Sequence, residues 1–141
     1  GNNMCNSYIN AAKMLNFQLN IACPADYKPD ETIMAPAQSN ITLFSDPLAA
    51  SENSDLIVTD VWASMGQEQE QQKRLQAFAN FAVTDKIMKN AHSDALFMHC
   101  LPAHRGEEVD ASVIDGPQSV VFDEAENRLH AQKALLEFLI P

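Results

Sequence analysis

The sequence predicts an α/β fold, a doubly wound, Rossmann-like parallel sheet with helices on both faces. Two observations carry this. Short apolar runs alternate with stretches of helical periodicity, as strand–helix–strand units require. The densest polar segment directly follows one of those runs, which is where parallel sheets place their ligands. The chain has 141 residues, the length of one domain, enough to bury roughly 68–70% of its unfolded surface.

Five apolar runs qualify as strands: Gln18–Cys23, Ile41–Phe44, Asp55–Val58, Ala95–Met98 and Ser119–Phe122. Between them, Met4, Tyr8, Ala11, Ala12 and Leu15 recur at helical spacing, as do Leu75, Phe78, Ala79 and Ala82. A last helix opens with Asp123-Glu124-Ala125-Glu126, in which Asp123 can cap and the acids suit the positive end of the helix dipole. The chain starts differently, on a Gly1-Asn2-Asn3 turn leading straight into a helix. A βαβ unit needs a strand before that helix, so a truncated chain lacking its first, central strand is expected. Pro24–Pro36 is a Pro-bearing connection, and no repeat or interdomain linker is visible.

Hydrophobic residues make up 46% and charged residues 20%, an ordinary globular balance. Nine Lys and Arg against nineteen Asp and Glu leave a net charge of −10. That argues against nucleic acid or an anionic membrane as partner, although a local cationic pocket for a small anion stays open. Cys5, Cys23 and Cys100 are odd in number and widely spaced, which fits a reducing, cytoplasmic compartment better than a disulfide framework. No apolar run reaches the roughly 20 residues of a membrane span, and no secretory signal is visible.

The strongest candidate site is His99-Cys100-Leu101-Pro102-Ala103-His104-Arg105-Gly106-Glu107-Glu108, after the run Ala95–Met98. Few structural loops need a thiol, two imidazoles, a guanidinium and two carboxylates within ten residues. Cys100 beside His99 could be a nucleophile, or simply a thiol packed at a strand end. The histidines and cysteines lack zinc-site spacing, so no metal is expected. A second cluster, Thr59-Asp60-Val61-Trp62-Ala63-Ser64-Met65-Gly66, follows the run Asp55–Val58. Asp60 there can receive an ammonium group, and Ser64 with the backbone near Gly66 can hold an α-carboxylate or α-amino group. The competing interpretation makes Asp60 the cap of a helix starting near Gln67. Asn2 and Asn3 are either plain turn residues or a polar receptor at a helix N-terminus. Arg128 either pairs locally with Glu126 or reaches an anionic ligand at the sheet edge.

Taken together, Gly1-Asn2-Asn3-Met4, Asp60-Val61-Trp62-Ala63-Ser64-Met65-Gly66, His99–Pro102 and Phe122–Arg128 resemble ornithine carbamoyltransferases, in order and along the whole chain. The resemblance covers only the ornithine-binding domain, here residues 1–141. The carbamoyl-phosphate-binding domain, with its Ser-Thr-Arg-Thr-Arg and His-Pro-x-Gln motifs, lies outside this sequence. The resemblance implies transfer of a carbamoyl group from carbamoyl phosphate to the δ-amine of L-ornithine, giving citrulline and phosphate. It implies that Asn3, Asp60, Ser64 and Met65 hold ornithine, with Asp60 and Cys100 beside the reacting amine. Cys100, Leu101 and Arg128 would contact carbamoyl phosphate. It further implies no cofactor, no covalent intermediate, and a homo-oligomer built on trimers when full length. On this pattern the isolated chain is expected to be inactive. Two alternatives are a carbamoyltransferase for another amine such as putrescine, and a non-catalytic amino-acid-binding module. The Ser64-Met65-Gly66 loop favours a substrate with an α-carboxylate over a diamine.

Overall fold

Asn2 begins the fold. In the computed structural model, which describes residues 1–63 and 68–140, its backbone is extended and its side chain accepts a hydrogen bond from the Cys5 N–H. That satisfies one of the open donors of helix α1 (Asn3–Leu15). Asn16 closes the helix in the left-handed region, at φ 56°, a conformation that Asn tolerates better than most residues. Ile9 and Ala12 form the buried stripe of α1.

Strand β1 (Leu19–Ala22) follows and pairs in parallel with β2 (Ile41–Phe44), Leu19 opposite Ile41. Their connection holds two 3-10 turns, Ala25–Tyr27 and Ala35–Asn40, and the one-turn helix α2 (Glu31–Met34), capped by Asp30. Helix α3 (Pro47–Ser51), capped by Asp46 with proline in its first turn, leads into β3 (Leu56–Thr59). Helices α4 (Glu68–Phe78) and α5 (Asp85–Asn90) then carry the chain to β4 (Leu96–His99), parallel to β3. The short α6 (Ala111–Ile114) and the 19-residue α7 (Val121–Leu139) complete it.

Four of the five expected strands are present within a residue or two of their expected bounds. The fifth, Ser119–Phe122, is not a strand. Ser119 makes a single bridge to Phe97, and α7 starts at Val121. The chain turns helical there because the Val120 carbonyl accepts the Glu124 N–H; Val121 is buried and Phe122 is exposed. Consequently the last helix is flanked by Val120 rather than capped by Asp123. Helix α4 also ends sooner than its periodicity suggested, with Ala79 and Ala82 beyond Phe78.

The strands pair in parallel, as the expected α/β fold requires. Among the described residues they form two pairs, β1–β2 and β3–β4. Leu19, Asn20 and Ala22 of β1 and Leu56, Val58 and Thr59 of β3 line a common cavity of about 740 Å³ between the two pairs. Each pair has its own core. Ile57, Phe97, Val109 and Val113 pack beneath β3–β4, and Ile9, Ile21, Cys23 and Ala37 beneath β1–β2. Helix α7 is docked at its start only: Val121 is its buried residue, while Leu129, Leu135, Leu136 and Phe138 are exposed. Among the described residues no helix is long and apolar enough to cross a membrane.

Candidate active site

Strand register builds the site. Thr59 lies directly opposite His99 in the β3–β4 ladder, so the two strands end together and the next residues, Asp60 and Cys100, leave the sheet side by side. The Cys100 thiol donates to Asp60 Oδ1 at 3.2 Å. The same oxygen accepts the Val61 N–H at 2.8 Å, and Oδ2 accepts from Asn2 Nδ2 at 2.9 Å. Asn2 therefore does two jobs, capping α1 with its oxygen and orienting Asp60 with its nitrogen. Asp60 is thus held by three donors, the Cys100 thiol, the Val61 N–H and the Asn2 amide.

Asp60, Cys100 and Asn2 line a cavity of about 270 Å³, together with Cys5, Tyr8 and Trp62. That lies just under the range of about 300–1,000 Å³ usual for drug-sized ligands, and suits a small metabolite. One wall is aromatic: Phe78 stacks on Trp62 at 5.9 Å and meets the Tyr27 ring edge-on at 4.9 Å. Arg74 lies 5.2 Å over the Tyr27 ring, donates to the Trp62 carbonyl at 3.3 Å and pairs with Glu70 at 3.2 Å. Arg74 and Asp60 are the charged side chains among the described lining residues.

The Cys100 thiol is pushed up to about 11, by burial first, then by its hydrogen bond to Asp60 and the negative charges of Asp60 and Glu124. Near neutral pH it is therefore a neutral donor and a poor nucleophile. Burial pushes the Cys5 thiol up as well. Behind Cys100, the fully buried His99 ring is held at both nitrogens. Nδ1 accepts the Leu101 N–H at 2.9 Å, and Nε2 lies 3.1 Å from Glu108 Oε1. That pairing places the ring proton on Nε2. Leu101 is thereby held in the left-handed region, at φ 55°. Glu108 Oε1 also accepts the His104 N–H at 2.6 Å. Burial alone would raise the Glu108 carboxyl, but these donors bring it below its ordinary value.

Among the described residues, two groups of side chains offer metal-ligand atoms within 4.8 Å of one another: Asp60, His99 and Cys100, and His104, Glu107 and Glu108. In the first group both His99 nitrogens are already engaged, so ligation would have to break the hold on Leu101 or on Glu108.

Of the residues singled out from sequence, the structure brings Asp60 and Cys100 together. Asn3 is exposed as the first residue of α1 and does not line the cavity; its neighbour Asn2 does. Leu101 is half-buried against the β3–β4 core. Arg128 is exposed, two turns into α7, and the nearby acid Glu126 lies 3.6 Å from His130. Ser64 and Met65 lie outside the described residues. Tyr27 and Arg74 had no signal in the sequence, and Glu108 showed only as part of the polar cluster.

The chain is similar to known proteins along nearly its whole length. The family model described as "Aspartate/ornithine carbamoyltransferase, Asp/Orn binding domain" matches residues 1–139. An ornithine carbamoyltransferase of Halorhodospira halophila is 61% identical over 140 residues, covering 99% of this chain and 47% of that protein. One from Nitrosococcus oceani is 62% identical, covering 99% and 46%. Among solved structures, the Burkholderia thailandensis ornithine carbamoyltransferase superposes with a TM-score of 0.88 at 50% identity, covering 99% of this chain and 44% of that one. The anabolic Campylobacter jejuni enzyme gives 0.92 at 40% identity, covering 98% and 48%. The chain thus spans slightly under half the length of these relatives. With the match running from Gly1 through Leu139, the chain belongs to the Asp/Orn-binding domain family of the aspartate/ornithine carbamoyltransferases.

Proposed function

We propose that this chain is the ornithine-binding half of an enzyme that carbamoylates the δ-amine of L-ornithine, giving citrulline and phosphate. The observation that carries it is the Asp60–Cys100 pair, set at the mouths of two in-register strands and lining a small cavity. In this reading Asp60 attracts the ammonium end of ornithine and Cys100 aligns it, while Asn3, Ser64 and Met65 hold the amino-acid end. Cys100, Leu101 and Arg128 meet carbamoyl phosphate, whose remaining donors come from a second domain outside these 141 residues.

The chemistry is direct attack. The ammonium group gives one proton to solvent, its nitrogen bonds to the carbamoyl carbon, the bond from that carbon to the phosphate oxygen breaks, and the second nitrogen proton leaves with the phosphate. A thiol kept protonated is suited to orienting the amine rather than to forming a carbamoyl-enzyme. Holding two reactants in register can lower such a barrier by roughly 7–11 kcal/mol. Direct attack asks for neither a metal nor an organic cofactor. Trimeric assembly of the full-length protein, citrulline synthesis as in anabolic relatives, and a cytoplasmic setting belong to the same proposal.

The test is an assay of the full-length protein containing this chain. Citrulline should form from ornithine and carbamoyl phosphate, and putrescine should be a poor replacement. The 141-residue chain alone should form no citrulline above the uncatalysed rate. Preference for putrescine, or full activity in the isolated chain, would defeat the proposal.

We also propose that a fifth parallel strand, from sequence preceding Gly1, fills the cavity between β1 and β3. Adjacent strands need about 4.7–4.9 Å of separation, and both facing edges carry backbone groups that a strand would satisfy. Hydrogen exchange at the outward amides of Leu19–Ala22 and Leu56–Thr59 should be much slower in the full-length protein than in the isolated chain. Equal exchange rates would count against such a strand.

A further inference from the structure

We infer that Glu124 is a positioning residue of the transfer site, clamping the end of β4 to the first turn of α7; this rests on the carbamoyl-transfer proposal above. The clamp arises where a strand pairing stops. Phe97 N–H donates to the Gln118 carbonyl, and Val120 N–H donates to the Phe97 carbonyl at 3.0 Å. Two residues on, the parallel pattern would give the His99 N–H to the Val120 carbonyl. That carbonyl is taken instead by the Glu124 N–H at 2.9 Å, as the first bond of α7. The Glu124 carboxylate then accepts the His99 N–H at 3.0 Å. One residue thus ends the ladder with its own amide and replaces the lost acceptor with its side chain.

The clamp joins the end of β4, next to Cys100, to the helix that carries Arg128. His99 immediately precedes Cys100. Arg128 lies four residues after Glu124, hence on the same helix face. Fixing Glu124 against His99 therefore sets the direction of Arg128 relative to Cys100. The carboxylate has a second effect: Cys100 and Tyr8 both feel its charge, which favours the neutral thiol and the neutral phenol. The groups around the thiol are Asp60 at the end of β3, Glu124 on α7, Tyr8 on α1 and the fully hydrogen-bonded His99 ring.

The experiment compares Glu124→Gln and Glu124→Ala in the full-length protein. Gln keeps an acceptor oxygen for the His99 N–H and loses the charge; Ala loses both. Glu124→Ala should lower kcat about ten- to a hundredfold while changing the KM for ornithine by less than about threefold. Glu124→Gln should restore kcat to within about threefold of wild type. In both variants, alkylation of the Cys100 peptide, followed by mass spectrometry against pH, should shift to lower pH. The shift should be partial, because Asp60 remains.

Wild-type kcat in Glu124→Ala, equal impairment in both variants, or an unmoved alkylation profile would each overturn the inference. If Glu124→Ala does not fold, Glu124→Gln decides alone: a lowered profile with near-normal kcat supports the clamp, and an unmoved one refutes it. A wild-type protein that makes no citrulline would sink the proposed function, yet the alkylation profile would still test where Glu124 acts.

Discussion

Replacing Glu108 with Ala should destabilise the full-length protein by about 2–6 kcal/mol, read by chemical denaturation at neutral pH. The side chain is fully buried and satisfies two donors, the His99 ring and the His104 N–H. Removing it strands both, at about 1–3 kcal/mol for each buried group left unpaired. Glu108→Gln should cost far less, because one amide oxygen can accept both bonds in the place of Oε1. The pH dependence has a definite sign. The Glu108 carboxyl titrates below its ordinary value in the folded protein, so its contribution is complete above that ordinary value and is lost as pH falls through the lowered one. Glu108→Gln should accordingly flatten part of the acid limb of the stability curve. A Glu108→Ala protein as stable as wild type would show that the His99–Glu108 pair does not hold the loop. Loss of the pair would also free the His99 ring from its fixed tautomer, and with it the Leu101 amide.

How much of this was legible depends on how local each signal is. β4 and β3 were readable as apolar runs, because each carries a buried residue between turn-forming flanks: Phe97 in one, Ile57 in the other. Ser119–Phe122 misled for the same reason, being apolar and β-branched. What decides its structure is the hydrogen bond from the Glu124 N–H to the Val120 carbonyl, and the buried Val121 next to an exposed Phe122. Local hydrophobicity cannot register either. Asp60 and Cys100 could be nominated from sequence as polar residues after strands, but their contact spans 40 residues and follows from the register Thr59–His99. The cap of α1 shows the same limit at short range. Adjacent asparagines looked equivalent, yet the extended Asn2 accepts from the Cys5 N–H and thereby turns its amide nitrogen to Asp60.

That arrangement sharpens the second large prediction. Under the proposed function, Asp60→Asn in the full-length protein should raise the KM for ornithine about 10- to 150-fold, the equivalent of roughly 1.5–3 kcal/mol for a charge-assisted contact. The KM for carbamoyl phosphate should change by less than about threefold. Size is conserved, but an amide nitrogen would replace Oδ2 and face the Asn2 nitrogen, donor against donor. Some of the loss could therefore come from disturbing α1 rather than from losing charge. A paired swap, Asn2→Asp with Asp60→Asn, separates the two effects. It restores a donor–acceptor pair between the positions, and Asp caps a helix about as well as Asn. The swap should recover thermal stability while leaving ornithine use impaired, since the carboxylate now sits at the head of α1 and not beside the Cys100 thiol. Full recovery of ornithine KM in the swap would assign Asp60 a purely structural task. Equal losses for both substrates in Asp60→Asn would do the same, because a charge acting on the ammonium group alone has no means of weakening the phosphate end.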